Sequence, residues 1–284
     1  MSKIAAVTGA NSGIGKEICR GLLEAGYQVL MLCRNPEKAA IAQAELQHTT
    51  GSAQIEIMCV DLASLKDIVR VATDMRARFS HLNVLVNNAG LFSGKAQNSE
   101  DGYELTFAVN HLAVQLLTNQ LLPLLEAGAA QDTARIVNVA SEAHRRGKIH
   151  IDDVQMRRSY SGMAAYSQSK LANILHALWL SPQLNQKNVV INACHPGVVA
   201  TNFANGEGGA MGWLFKMFKW AMITPEKGAA TPLFLAKDPL PQPVSGRYYD
   251  KCKPKRPISS AQDIQLAEKL YGLSEELIQA ALSQ

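Results

Sequence analysis

The sequence predicts an α/β fold in which a doubly wound parallel sheet carries helices on both faces. Three observations lead there. Short apolar, β-branched runs alternate with longer helical patterns; the first run opens into a glycine-rich turn and an amphipathic helix; and no repeat or low-complexity linker interrupts the series. With 284 residues, 47% of them hydrophobic and 18% charged, the chain can bury a large core, so one domain over 1–284 is expected.

Taken in order, strands are expected at 4–9 (IAAVTG), 28–33 (QVLMLC), 54–60 (QIEIMCV), 83–89 (NVLVNNA), 135–141 (RIVNVAS) and 189–197 (VVINACHPG), with a short last one at 246–250 (GRYYD). Helices between them start near Gly13, Pro36, Ser64, Gly102, Ala165 and Pro225. Such a rhythm implies right-handed crossovers, and a ligand then belongs at the carboxyl ends of the strands, where the strand order reverses. The one shift in composition spans 203–223, glycine-rich at first (NGEGGAMG) and then aromatic, which is expected to form an insertion over the site at about 203–224.

Composition excludes several classes of function. The net charge of +4 comes from scattered basic residues with only a short cluster at Lys251, Lys253, Lys255 and Arg256, which gives no footprint for nucleic acid. Five cysteines, Cys19, Cys33, Cys59, Cys194 and Cys252, show no CxxC or Cys/His pattern, so they are expected to be reduced and mostly buried, as in a cytoplasmic protein. The first strand begins at Ile4 and leaves no room for a targeting segment. No apolar run reaches 18 residues; the stretch 212–223 (GWLFKMFKWAMI) is too short to span a bilayer and is broken by Lys216 and Lys219, so the aromatic segment stays open between a lid over an apolar substrate, peripheral membrane contact and plain packing on the core.

Between the first strand and its helix, 8–15 reads TGANSGIG. Gly9, Gly13 and Gly15 allow a tight turn and close approach to a pyrophosphate, with Asn11, Ser12 and Ile14 at the helix N-terminus, whose amides and dipole favour phosphate. An NAD site would place an acidic residue at the end of the second strand, but this chain has Cys33-Arg34-Asn35. The Arg34 guanidinium suits a 2′-phosphate, so the expected cofactor is NADP(H). Asp61, with Leu62 after it, is placed to meet the adenine, and Asp61 equally suits the N-cap of the next helix.

Tyr166 and Lys170 stand four apart in AAYSQSKLANIL and so share one helix face. An ammonium there is expected to stabilise phenolate and pull the tyrosine down from about 10 towards neutrality, as a general acid and base requires. Tyr160 has Ala164 four positions on and lacks such a partner.

The motifs TGANSGIG, VDLAS, NNAG (87–90), AVNHLA around Asn110, RIVNVA before Ser141, the Tyr166/Lys170 pair and HPGVVAT (195–201) occur in this order, and together they resemble the short-chain dehydrogenase/reductase family over nearly the whole chain. Further segments, CRNPEKA, DGYELTFAVNHL, SYSGMAAYSQSKLANIL and VSGRYYDKCKPKRP, are similar to its retinol dehydrogenase-like branch. The resemblance implies a single-domain Rossmann fold and hydride transfer between a nicotinamide and a carbonyl or alcohol. It implies that Ser141 binds the substrate oxygen, that Tyr166 delivers the proton, that Lys170 holds the nicotinamide ribose, and that Asn110 anchors a water leading to Lys170. Asn88, Ala89 and Gly90 would line the adenosine side, with Pro196, Gly197, Val198 and Thr201 around the nicotinamide.

Leu91, Phe92, Met163, Phe203 and Trp213 favour a bulky lipophilic aldehyde, ketone or alcohol, and His144, three residues after Ser141, is either a substrate contact or a surface histidine. Two alternatives stay open: a double-bond reductase resembling protochlorophyllide reductase, and a non-catalytic NADPH-binding regulator. No metal is expected, and pairing of copies through long helices is open by analogy with the family.

Overall fold

The computed structural model describes residues 2–130, 132–197, 223–238 and 244–283. Strands β1 (Ile4–Thr8), β2 (Gln28–Cys33), β3 (Ile55–Cys59), β4 (Val84–Asn87), β5 (Ala134–Val139), β6 (Val189–His195) and β7 (Tyr248–Asp250) are parallel, and β8 (Lys253–Pro254) adds an antiparallel edge. The order β3-β2-β1-β4-β5-β6-β7-β8 reverses between β1 and β4, as the doubly wound prediction requires. All five residues of β1 are buried, because both faces of the sheet are covered and a strand there cannot alternate with water.

Neighbouring strand residues feed two separate cores. Ala6, Leu30 and Leu85 pack with α3 (Leu65–Arg78) and the later helices, while Ala5, Val7, Val29 and Met31 pack on the other side with α1 (Gly13–Glu24) and α2 (Pro36–Thr50). Local caps set several helix starts. Asn35 Oδ1 accepts from the Lys38 amide at 2.7 Å to begin α2. Ser64, not Asp61, caps α3, and Asp61 instead accepts from the Ala63 amide at 2.9 Å.

The helix expected near Gly102 starts later and irregularly. Gly102 turns at φ +79, and Glu104 then accepts from the amides of Thr106 and Phe107 at 2.8 and 2.7 Å. One α-turn, α4 (Leu105–Phe107), runs into a π-helical stretch Ala108–Leu112 before α5 (Ala113–Ala129). Helix α6 (Gly162–Leu184) begins ahead of the expected Ala165 because Ser161 caps the Ala164 amide. β4, β5 and β6 stop short of their expected ends, since Asn88, Ser141 and Pro196 leave the sheet to form loops at its carboxyl edge.

After α7 (Pro225–Lys237) and the last strands comes a helix that the βαβ rhythm does not call for, α8 (Ile264–Leu282). Asp263 caps its first amides at 3.0 Å, and its buried residues Ala267, Leu270, Ser274, Ile278 and Ala281 recur at helical spacing. It packs on α6 and α3 and is bolted to α5 by Tyr271 and Asn119, whose side chains bond at 2.9 Å. The expected insertion at 203–224 lies, apart from Ile223 and Thr224, outside the described residues.

Candidate active site

The site is built on the carboxyl edge of the sheet around the reversal between β1 and β4. Gly9 and Gly13 have φ of +65° and +52° in the turn after β1. Gly15 can only be glycine: a Cβ there would collide with the Gly9 carbonyl oxygen and stand 2.6 Å from Asn88 Nδ2. Thr8 ties this turn to the next loop, its hydroxyl accepting from the amides of Asn88 and Ala89 at 2.9 Å each, while Asn88 Nδ2 donates to the Thr8 carbonyl at 2.9 Å. Ser12 opens α1 without capping it by its side chain.

The end expected to meet adenosine lies at the ends of β2 and β3. Arg34 is 74% exposed and lies 4.0 Å from the half-exposed Asp61 carboxylate. Such an exposed pair contributes about 1 kcal/mol or less and leaves the guanidinium available to another anion. Asn35 is committed to capping α2.

At the other end stand the four residues expected to act together. Ser141 leaves β5 and caps a short 3-10 turn, Glu142–Arg146, accepting from the Ala143 amide at 3.2 Å, and it is also hydrogen-bonded to the Tyr166 hydroxyl. Lys170 lies one turn below Tyr166, with Nζ 5.7 Å from the tyrosine ring centroid and donating to the Val139 carbonyl at 2.9 Å. Asn110 sits fully buried in the π-helical stretch. Its Oδ1 accepts from the Leu91 amide at 2.8 Å, and its Nδ2 donates to the Leu91 carbonyl at 2.9 Å and to Ser169 Oγ at 3.0 Å.

Asn110 therefore joins the loop after β4 to α6, since Ser169 in turn donates to the Tyr166 carbonyl. The π-turn aims it sideways out of the helix, as such insertions do at functional sites. Gly90 closes the group: a Cβ on it would lie 3.1 Å from Lys170 Nζ and 3.4 Å from Asn110 Oδ1.

The electrostatics correct one expectation. Burial pushes the Tyr166 phenol up to about 12, with the Ser141 hydrogen bond opposing it only in part, and burial pulls Lys170 down to about 8. Desolvation is the dominant influence on the phenol, while Lys170 Nζ, over the tyrosine ring, donates to the Val139 carbonyl. Tyr166 is thus held protonated, in the form that donates.

Phe92 packs edge-on against Tyr166 with centroids 6.2 Å apart, and Leu91 and the exposed Met163 lie on the same loop and helix start. Phe203, Trp213, Val198 and Thr201 fall outside the described residues, while Pro196 and Gly197 follow β6 as expected. His144 is neither a surface histidine nor open to substrate. It is fully buried, with Nδ1 2.7 Å from the Ser141 carbonyl and its ring against Tyr248. Tyr160, the unpartnered tyrosine of the sequence, donates to the Ser93 carbonyl at 2.8 Å and braces the loop after β4.

Several contributors are not evident from motifs. Thr8 and Ser169 are hubs that carry no special spacing. Glu142, beside Ser141, accepts from Tyr248 at 2.9 Å and Lys255 at 3.0 Å. Burial would raise its carboxyl, yet hydrogen bonds from Arg145, Lys255 and Tyr248 hold it at about 2. The segment VSGRYYDKCKPKRP thereby anchors the Ser141 loop. A groove of about 790 Å³ between α6 and residues such as Arg247 and Pro257 meets none of the four.

Comparison with known proteins agrees with this geometry. Residues 3–210 match the family model for short chain dehydrogenases. The chain is 37% identical to human retinol dehydrogenase 14 over 97% of its own length and 86% of that protein, and 36% identical to human retinol dehydrogenase 11 over the same shares. Among solved structures, an uncharacterised protein from Mycobacterium paratuberculosis aligns with a TM-score of 0.78 at 31% identity, covering 98% of this chain and 93% of that one. The RhlG/NADP active-site complex of Pseudomonas aeruginosa aligns with a TM-score of 0.65 at 29% identity, covering 82% and 89%. A Rossmann sheet, a glycine turn built for close approach and a tyrosine–lysine pair on one helix face thus coincide with likeness along the chain: it belongs to the short-chain dehydrogenase/reductase family of oxidoreductases, in the retinol dehydrogenase-like branch.

Proposed function

We propose that the protein is an NADP(H)-dependent oxidoreductase that interconverts a lipophilic aldehyde or ketone and its alcohol, with Tyr166 as the proton donor and acceptor. The observation that carries this reading is the Tyr166 hydroxyl, bonded to Ser141 and with Lys170 over its ring, at the same carboxyl edge of the sheet as the glycine turn.

The residues present fit a dinucleotide. The tight turn that Gly15 allows against Gly9 and Asn88, and the start of α1 left uncapped by the Ser12 side chain, suit a pyrophosphate, Arg34 suits a 2′-phosphate, and Asp61 with Leu62 and Asn88 to Gly90 border the adenosine side. Lys170, Pro196 and Gly197 would hold the nicotinamide end, with Val198 and Thr201 assigned there from the motif alone. When bound, the reduced cofactor supplies the hydride.

The chain's own part is protonic and electrostatic. Ser141 Oγ donates to the substrate oxygen, stabilising the charge that develops there. Tyr166, protonated through the neutral range, gives its proton to that oxygen. The Lys170 ammonium, charged below about pH 8, stabilises the phenolate left behind. In the oxidative direction the Tyr166 phenolate, stabilised by the Lys170 ammonium, accepts the proton of the alcohol. The retinol dehydrogenases among the relatives, with Leu91, Phe92 and Met163 beside Tyr166, support an apolar substrate.

NADPH oxidation followed across lipophilic aldehydes, aromatic aldehydes, steroids and quinones tests the reading. Turnover of an apolar carbonyl with NADPH preferred over NADH is the expected result. Binding of NADPH with no turnover of any carbonyl would indicate a regulator instead, and reduction of a carbon–carbon double bond alone would indicate the other chemistry.

A further inference from the structure

Two of the five cysteines occupy partner positions on neighbouring strands. Cys33 ends β2, Cys59 ends β3, and the register of the two parallel strands pairs them directly. They share a face: Val29, Met31 and Cys33 alternate into the core beneath α1 and α2, and their partners Ile55, Ile57 and Cys59 follow the same alternation. Paired residues on adjacent strands have Cα atoms about 4.8 Å apart, inside the window of roughly 4.4–6.8 Å that a disulfide spans. Their Cβ atoms must draw in to about 3.8 Å, which the last residue of an edge strand can do at the expense of some strain, so the bond would be reducible and not a permanent staple.

The two thiols differ in setting. Cys59 is exposed, on the outermost strand, and Arg70 donates to its carbonyl at 2.7 Å. Cys33 is buried directly below the glycine turn, where its sulfur accepts from the amides of Ala10 and Asn11. Cys33 also precedes Arg34, and Cys59 stands two residues before Asp61, so the pair underlies the adenosine end of the cleft.

We infer that Cys33 and Cys59 form an oxidative modification site, a reversible disulfide that opposes cofactor binding. The oxidant is a hydroperoxide. The Cys59 thiolate attacks the peroxide and becomes a sulfenic acid with release of water or an alcohol; the Cys33 thiol then displaces hydroxide from that sulfur, its proton leaving with it as a second water. Two thiols are oxidised and one peroxide is reduced. Turning the Cys33 sulfur towards Cys59 takes the acceptor away from the Ala10 and Asn11 amides and draws the ends of β2 and β3 together beneath Arg34 and Asp61. A bound dinucleotide would cover the same ground, so cofactor protects the thiols. The coupling rests on the cofactor reading above.

The full-length reduced protein, treated with hydrogen peroxide with and without saturating NADPH, provides the test. Peptide mass spectrometry is expected to find a Cys33–Cys59 linked peptide, less of it when NADPH is present. NADPH affinity, followed by fluorescence titration, is expected to fall at least about tenfold on oxidation and to recover with dithiothreitol. In Cys59→Ser, peroxide should leave the affinity at that variant's own untreated value. A link from Cys33 to the buried Cys19 in place of Cys59, or no link at all, would overturn the site. A linked peptide with unchanged affinity would overturn the coupling, and reduced protein that binds no NADPH would overturn the cofactor reading and the coupling with it.

Discussion

Helix α6 carries two buried polar clusters on different faces, and they obey the same electrostatics to different ends. Towards the cleft it presents Tyr166 and Lys170 to Ser141 and Asn110. Further along it presents Asn173 and His176 to the sheet, α5 and α8: Asn138 Nδ2 lies 3.0 Å from His176 Nδ1, Asn87 donates to Asn138 at 2.9 Å, and His111 Nε2 lies 3.0 Å from Ser274 Oγ. Burial lowers Lys170 to about 8 and, in the second cluster, His176 to about 4 and His111 to about 3. The difference lies at the boundary. Tyr166 and Ser141 are partly exposed and Gly90 is open, so a ligand can reach the first cluster and replace lost hydration with its own charges; α8 closes the second, where nothing can. A shifted titration marks burial, and only access to a ligand makes it chemistry.

The largest expected effect lies in the first cluster. Tyr166→Phe should lower turnover by about 10²–10⁴ while NADPH affinity and thermal stability hold, because only the hydroxyl is lost. Unchanged turnover in that variant would falsify the assignment. Next, Arg34→Asp should move the ratio of kcat/KM for NADPH over NADH by about tenfold or more towards NADH; a wild-type preference for NADH would sink the role of Arg34. The pH profile separates the clusters further. Burial lowers Lys170, so its charge is present below about pH 8 and lost above it, and the kcat/KM for reduction should be level below that pH and fall about tenfold per unit beyond it.

The second cluster should answer through stability instead. His111 and His176 are held below their ordinary value of about 6.5, so the unfolded chain binds protons that the folded chain refuses. Their contribution is complete above about pH 6.5 and is lost as pH falls towards 4, each by at most about 1.4 kcal/mol per unit. Urea unfolding across that range checks it, and His176→Phe should flatten the slope without altering the profile above pH 8. A parallel change in the reductive profile would erase the distinction between the clusters.

Much of the site is readable in one dimension because its geometry is local. Gly9, Gly13 and Gly15 act within one turn, Tyr166 and Lys170 within one helical turn, and strand rhythm orders the sheet. Asn110 is readable only as a motif position, since its partners Leu91 and Ser169 lie 19 and 59 residues away. Thr8 stands in the glycine motif with no role legible there, and Ser169 in no motif position of its own: a hydroxyl becomes a hub only when distant segments arrive around it. α8 shows the reverse case, a helix with an ordinary cap and apolar spacing that the βαβ rhythm did not require.

By itself the sequence determined the doubly wound fold, the glycine turn and the Tyr166–Lys170 pair, because periodicity, glycine tolerance and i to i+4 spacing are local constraints, while Asn110 and Ser141 stand out only through the family resemblance. Tertiary structure decided the protonation of Tyr166, the burial of His144 and the pairing of Cys33 with Cys59. Each depends on desolvation or register, and those quantities exist only once remote segments have packed.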